Sequence, residues 1–321
     1  MNEYDINFTS LNRLKKRFVK DYNLPINLFD EGMFTYYRHL YDFFPHETYT
    51  SLIEKVGKEY GGNVERWLDY CANVRDTAIF GIMESPEYKD FNSKILNDYA
   101  VCPPVGERSV YTEATDGHRF ISIDMRKANF QVLKYMGVLK DATYADFITR
   151  NGGDEYIAGS KYLRQVIFGK LNPGRQIKIE KYLMHQIYSA IDPLLKEYGL
   201  QLFSFGNDEI IYHNEYPDFD ASTLCDEIIG MAKRCVGIDV SAEYVEISRL
   251  PIVSYNDNKI DAYERLNLST GERKLKKAST TFFPQIYKIW KGLKIEENDL
   301  YFFFENQICK FKYPLREVDE L

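Results

Sequence analysis

Two acids stand side by side in the stretch FSFGNDEIIYH, residues 203–213: Asp208 and Glu209. Apolar and aromatic residues flank them, the composition of a buried strand, where an unpaired carboxylate is costly. A third acid, Asp124, ends the run FISID. Asp208 is expected at a hairpin tip between LQLFSF and EIIYH, and Asp124 at a strand end. Both can then stand at one edge of one sheet. Two carboxylates converging there can hold a pair of Mg²⁺ ions about 4 Å apart, an arrangement suited to in-line phosphoryl transfer. Mn²⁺ can substitute. The competing reading is a pair of structural acids with no ligand.

Between these acids lies SKYLRQVIFGKL. Lys161, Arg164 and Phe168 fall at i, i+3 and i+7, one face of one helix. A cationic face with an aromatic ring one turn further on suits a nucleoside triphosphate, with phosphates on Lys and Arg and the base against the ring. The alternative is a core-facing Phe beside solvated cations.

These residues need elements to position them. Residues 8–100 read as helices: LNRLKKRFVKDY, FDEGMFTYYRHLYDFF, ETYTSLIEKVGKEYGG and NVERWLDYCANVRDTAIFGIM all carry apolar residues at 3–4 spacing. VCPPVGER, 101–108, is rich in breakers. RSVYTEATDGHRFISIDM reads as a β-hairpin around Asp116-Gly117. FQVLKYMGVL and SKYLRQVIFGKL read as helices, the second stopped by Asn172-Pro173-Gly174. KIEKYLMHQIYSAIDPLLKEYG is a long helix ending at Gly199. Two strands around Gly206–Glu209, the helix LCDEIIGMAKRCVG and the strand SAEYVEISRL follow. The fold class is α+β: β-β-α, a helical insert (about 151–185), β-β, α, β, an antiparallel sheet with helices on one face. Three regions are expected: a helical 1–100, a central 101–250 and a small accessory α+β module, 251–321. The last contains a hairpin (KIDAYERLNLSTGERKLKK), an amphipathic stretch (FFPQIYKIWKGL) and an aromatic strand (LYFFFENQICKFKY).

With 321 residues, 45% hydrophobic, the chain can bury a real core. Five scattered cysteines with no CxxC argue for reduced thiols rather than a disulfide scaffold or zinc site. No apolar run approaches the roughly 18 residues of a membrane span, and MNEYDINFTS does not read as a signal peptide, so a cytoplasmic location is expected. The net charge of −7 argues weakly against nucleic acid, but basic clusters at 11–20, 161–181 (which includes Arg175) and 271–277 make local patches, read either as solvated faces or as nucleic-acid contacts.

Stretch 103–250 resembles the palm of the family A DNA polymerases, the bacterial DNA polymerase I group. GHRFISIDMRKANFQVLKYMG is similar to that family's motif A, with Asp124 on the catalytic aspartate and Val132-Leu133 on its V-L. KYLRQVIFGKLNPG is similar to motif B, with Arg164 on the phosphate-binding lysine and Phe168-Gly169 on Phe-Gly. FGNDEIIYH is similar to motif C, with Asp208 on the second aspartate and Glu209 on the following glutamate. PPVGERSVYTEATDG and LCDEIIGMAKRCVGIDVSAEYVEIS resemble the flanking segments. The departures are Asn129 for the glutamate that excludes the ribose 2′-OH, Asn172 for the motif B tyrosine, Asn207 for histidine, and Ser160 for an outer arginine, which leaves Lys161 as substitute. The stretch between motifs B and C is short, so most of the fingers are expected to be missing, and neither an upstream exonuclease domain nor a T-x-x-G-R element is read in residues 1–102.

The resemblance implies a template-directed, DNA-directed DNA polymerase with two Mg²⁺ ions on Asp124 and Asp208, triphosphate on Arg164 and Lys161, and base or sugar against Phe168. It further implies Asn129 and Asn172 near the sugar, Arg108 on primer or template phosphate, Gln186 on the minor-groove edge of the new pair, and Glu209 positioning the primer end. Primer–template and nucleoside triphosphates are the expected partners, with no membrane. Two other readings stand beside it: an RNA polymerase or primase-like enzyme using NTPs, and a non-catalytic or split subunit completed by another protein. A compact polymerase without an exonuclease domain also suits a virus or mobile element acting in a host cell.

Overall fold

A computed structural model describes residues 6–213, 220–253, 258–305 and 307–318. Among these residues the helices are α1 (Phe8–Asp21), α2 (Glu31–Leu40), α3 (His46–Tyr60), α4 (Val64–Glu84), α5 (Pro86–Ser93), α6 (Ala128–Tyr135), α7 (Tyr144–Arg150), α8 (Glu155–Gly159), α9 (Lys161–Gly169), α10 (Pro173–Glu197), α11 (Ala221–Val236) and α12 (Phe283–Trp290). The strands are β1 (Arg119–Met125), β2 (Gln201–Phe205), β3 (Glu209–His213), β4 (Val240–Arg249), β5 (Ile252–Val253), β6 (Lys259–Ile260), β7 (Tyr263–Asn267), β8 (Arg273–Lys276), β9 (Tyr301–Phe304), β10 (Gln307–Lys310) and β11 (Arg316–Glu317). The fold class is α+β, and among the described residues no helix is long and apolar enough to cross a membrane.

The chain forms two compact units, each built from separated segments: Met1–Asn92, Gly137–Pro173 and Glu296–Phe311 in the first, Ser93–Met136, Gly174–Ile295 and Lys312–Leu321 in the second. The first is helical, with the hairpin β9–β10. Several of its helices start where the sequence supplies side-chain caps. Asn7, Asp30, Asn63, Thr143 and Ser160 each accept a hydrogen bond from a first-turn backbone N–H. Its core is aromatic: Phe18 packs on Tyr22, Phe44 and Tyr49, and Trp67 on Tyr156. Each such ring, fully buried, contributes about 2–3 kcal/mol.

The second unit is built on an antiparallel sheet of order β2-β3-β1-β4-β7-β8. Alternation along the strands separates its two faces. Ile121, Ile123, Met125, Ile210, Tyr212 and Val240 are buried on one face. There Tyr212 donates its hydroxyl hydrogen to Asp192 of α10 at 3.1 Å, and α11 packs on β4. The other face carries an apolar cluster of Phe120, Ile211, Val245, Ile247 and Tyr263, joined by Val110. Toward the ends of β1 and β3 this face turns polar.

Two expectations fail, and one helix begins earlier than expected. Residues 107–118 do not pair with β1 in a hairpin. Both edges of β1 are taken, by β3 and β4. Thr112 and Thr115 instead close a short 3-10 turn by mutual hydrogen bonds, and the Gly117 N–H donates to the Ile247 carbonyl at 2.8 Å. Pro173 does not only end a helix. It opens α10 at the position where its missing N–H costs nothing. Residues 251–321 do not make a module of their own either. β7 pairs with β4 from Val245↔Asn267 to Arg249↔Tyr263, so the hairpin β7–β8 extends the central sheet.

Candidate active site

The second unit brings Asp124, Asp208 and Glu209 together at one end of the sheet. Asp124 is the penultimate residue of β1, its Cα opposite Glu209 of β3 and Ser241 of β4. The Met125 N–H donates to the Asp208 carbonyl at 2.8 Å, so the hairpin tip is tied to the end of β1. The tip is closed by the Gly206 N–H, which donates to the Glu209 carbonyl at 2.8 Å. A Cβ at 206 would stand 3.1 Å from that carbonyl oxygen, which is why the turn takes glycine. Nearby, the Arg108 N–H donates to Ser204 Oγ at 2.8 Å, while its side chain is exposed.

Partners directly opposite in a sheet point to the same face. Asp124 and Glu209 therefore share the face that also holds Ser122 and Glu243. Ser122 Oγ donates to Glu209 Oε1 at 2.5 Å, which fixes that carboxylate against the strand. Asp208 precedes β3 and is exposed. Glu180 of α10, buried at 6% exposure, senses the Asp208 charge and accepts a hydrogen bond from Asn129 Nδ2 at 2.9 Å.

The electrostatics are those of crowded, undercompensated acids. Burial first, then the charges of Asp208 and Glu209, push the Asp124 carboxyl up from 3.8 to about 6. Asp124 as a residue is exposed, so solvent reaches a carboxyl that packed groups crowd from one side. Burial and the Asp208 charge raise Glu180 from 4.5 to about 7. The cation opposing the rise at Asp124 is Arg265, and its guanidinium is already bound to Glu243 at 2.7 Å. Exposed carboxylates on rigid backbone, short of positive charge, are the donor set that a hard divalent cation takes. Asp124 and Asp208 fit such an ion, although no group of three or more His, Cys, Asp or Glu among the described residues is arranged to hold one.

Gln186 is half-buried on α10, three residues after the buried Leu183 and seven after Ile179, at the border of the buried stripe. Arg175 donates to the Lys94 carbonyl and is thereby engaged within the protein. Sequence reasoning missed Glu180, Glu243 and Arg265. Glu180 sits in the basic run GRQIKIEK and reads as solvated; only the apolar stripe Ile179–Leu183–Ile187 marks its face as buried. Alternation sets Ser241, Glu243, Val245 and Ile247 on one face of β4, and pairing with β1 brings that face to Asp124.

Lys161, Arg164, Phe168 and Asn172 belong to the first unit. Ser160 caps α9, accepting from the Leu163 N–H at 3.0 Å and donating to the buried Asp21 at 2.8 Å. Lys161 is exposed. Arg164 is half-buried over the Tyr144 ring, 5.9 Å from its centroid, and burial draws its guanidinium below the usual arginine range. Phe168 does not share an open face with them: it is 1% exposed, packed between Tyr144 and Phe147. The expectation that it stacks on a base is corrected, because Tyr144 and Phe147 pack on the ring and take the place a base would need. Asn172 adopts φ +54° and donates to Asn92 Oδ1 at 3.2 Å.

No known family, curated protein or solved structure matches this chain.

Proposed function

We propose that this chain is a template-directed nucleotidyltransferase that extends a 3′ end, with a palm akin to that of the family A polymerases. The observation that carries the reading is the meeting of Asp124 and Asp208, distant in sequence, at one sheet end, where burial first and then the Asp208 charge lift the Asp124 carboxyl to about 6. Acids held this close without a resident cation are unfavourable, so a site that keeps them is suited to binding one. Mg²⁺ or Mn²⁺ on Asp124 and Asp208 would supply charge neutralisation at the reacting phosphate and a lowered pKa for the attacking hydroxyl.

The protein's own part is positioning. Ser122 anchors Glu209, leaving one carboxylate oxygen to orient the 3′ hydroxyl. Asn129 and Glu180 form a fixed polar pair, suited to reading the sugar. Within the first unit, the exposed Lys161 and Arg164 one turn on are a cationic pair suited to a phosphate. DNA synthesis is the leading assignment, since Glu209 follows the Asp208 position. Use of NTPs is favoured by one feature, the amide of Asn129 where the resembling family excludes the 2′-OH with a glutamate.

Primer extension with Mg²⁺ or Mn²⁺, comparing dNTPs with NTPs, tests both statements. Incorporation is expected to fall on the order of a thousand-fold in Asp124→Asn and Asp208→Asn with the thermal melt retained. Wild-type protein that extends no primer on any template sinks the enzymatic reading. Equal or greater use of NTPs overturns the assignment to DNA.

A further inference from the structure

The hairpin β7–β8 lies beyond the stretch that resembles a polymerase palm, yet it pairs with β4 and continues the same sheet. Its two faces differ in chemistry. Arg273 and Leu275 point to α12, where the Arg273 guanidinium stands 5.3 Å from the Trp290 ring centroid and Leu275 packs against the cluster containing Ile286. Lys274 and Lys276 alternate with them and point the other way. Lys274 is directly opposite Arg265, and Lys276 opposite Tyr263. Arg265 is opposite Ile247, which shares its face of β4 with Glu243 and Ser241, and Ser241 is opposite Asp124. One sheet face therefore carries Asp124 and Glu209 on β1 and β3, and Arg265, Lys274 and Lys276 on β7 and β8.

The cations are crowded as the acids are. Burial, then repulsion from Arg265 and Lys274, holds the Lys276 ammonium below the usual lysine range. Arg265 answers Glu243 at 2.7 Å, and Lys274 answers the exposed Glu272 at 2.8 Å. β8 is three strand positions from β1, a lateral separation of about 14 Å at a spacing of about 4.8 Å per strand. Along the strands the two sites are offset as well, since Lys274 is level with Ile247 of β4 and Asp124 with Ser241.

We propose that Lys274 and Lys276 form a track for the phosphodiester backbone of the nucleic-acid strand whose 3′ end lies at Asp124 and Asp208. The inference rests on the proposed function for where that end lies. Paired anions along a strand match paired cations alternating along β8, and such contacts hold register without reading sequence. The acids on the same face repel that backbone, so the strand is directed to enter over β8 and reach the acids with its terminus alone.

The test is binding of a primer–template duplex by fluorescence anisotropy over a salt series, for wild type, Lys274→Ala/Lys276→Ala, Lys274→Gln/Lys276→Gln and Asp124→Asn, with incorporation measured on the same samples. Removing two phosphate contacts is expected to reduce the slope of log K against log salt by about two, and to weaken binding at low salt. The two double variants are expected to agree, and both to raise the primer–template KM with little change in kcat; Asp124→Asn is expected to lose incorporation, and wild-type incorporation by it overturns the catalytic reading. A slope indifferent to both lysines, or wild type that binds no duplex, overturns the track. Lysine-dependent binding without incorporation overturns the catalytic reading alone and leaves the track standing.

Discussion

At the scale of single residues, the two raised carboxyls set a pH dependence. Asp124 at about 6 and Glu180 at about 7 hold protons more tightly in the folded chain than at their ordinary 3.8 and 4.5. The stability this lends is complete below the ordinary values and is lost as pH rises through the folded ones. Metal-free protein in EDTA is expected to melt lower at pH 8 than at pH 5, and Mg²⁺ to restore the melt more at pH 8, where the acids are ionised. Glu180→Gln keeps an acceptor for Asn129 and removes the buried charge. It is expected to stabilise the metal-free protein at pH 8 by roughly 1–3 kcal/mol and to flatten the pH dependence. Calorimetry at the two pH values checks this, and an unchanged difference between wild type and variant at pH 5 and pH 8 refutes it. Of these residues, Asp124 and Asp208 are legible in the sequence because acids at the ends of apolar strands are costly and conspicuous. Glu180 is not, because a charge on a mixed helix has no visible cost until the helix is packed.

At the scale of elements, the seating of α9 depends on one buried acid. Asp21 is fully buried at the end of α1 and accepts from Arg17 Nε at 2.8 Å, Tyr156 at 2.9 Å and Ser160 Oγ at 2.8 Å. It thereby ties α1 to α8 and to the cap of the helix that carries Lys161 and Arg164. Asp21→Ala strands a half-buried guanidinium and two hydroxyls and is expected to cost about 3 kcal/mol, read from urea denaturation; a loss under about 1 kcal/mol would contradict this network. Most helices were readable from apolar spacing and caps, as were the hairpin β2–β3, α11 and β4. The hairpin expected at 107–118 was misread because an Asp-Gly turn is a local signal, whereas pairing depends on a free edge. β1 has none, since strands far along the chain claim both sides. Phe168 was misread for a related reason: a helical face can be assigned from spacing, but which face meets the core is settled by Tyr144 and Phe147.

At the scale of the whole molecule, the C-terminal stretch is structural to both units. β7 covers the outer edge of β4, α12 covers the far side of the hairpin, and residues 296–311 belong to the first unit. A chain ended at Leu250 loses all three, exposing Val245 and Ile247, now 2% and 0% exposed. Such a chain is expected to show no cooperative melt by circular dichroism. Retention of the wild-type melting temperature would restore the view of 251–321 as an appendage. The α+β class, most helices and strands and the strand-end placing of the two aspartates are legible from residue order alone, because each leaves a local mark: a period, a cap, a turn, or a charge where charge is costly. That Glu209 and Glu243 share the Asp124 face, that Glu180 lies within reach of Asp208, and that the β7–β8 cations continue the same sheet emerge on folding. Those relations are set by register and by edge pairing between strands remote in the chain, and no local pattern encodes them.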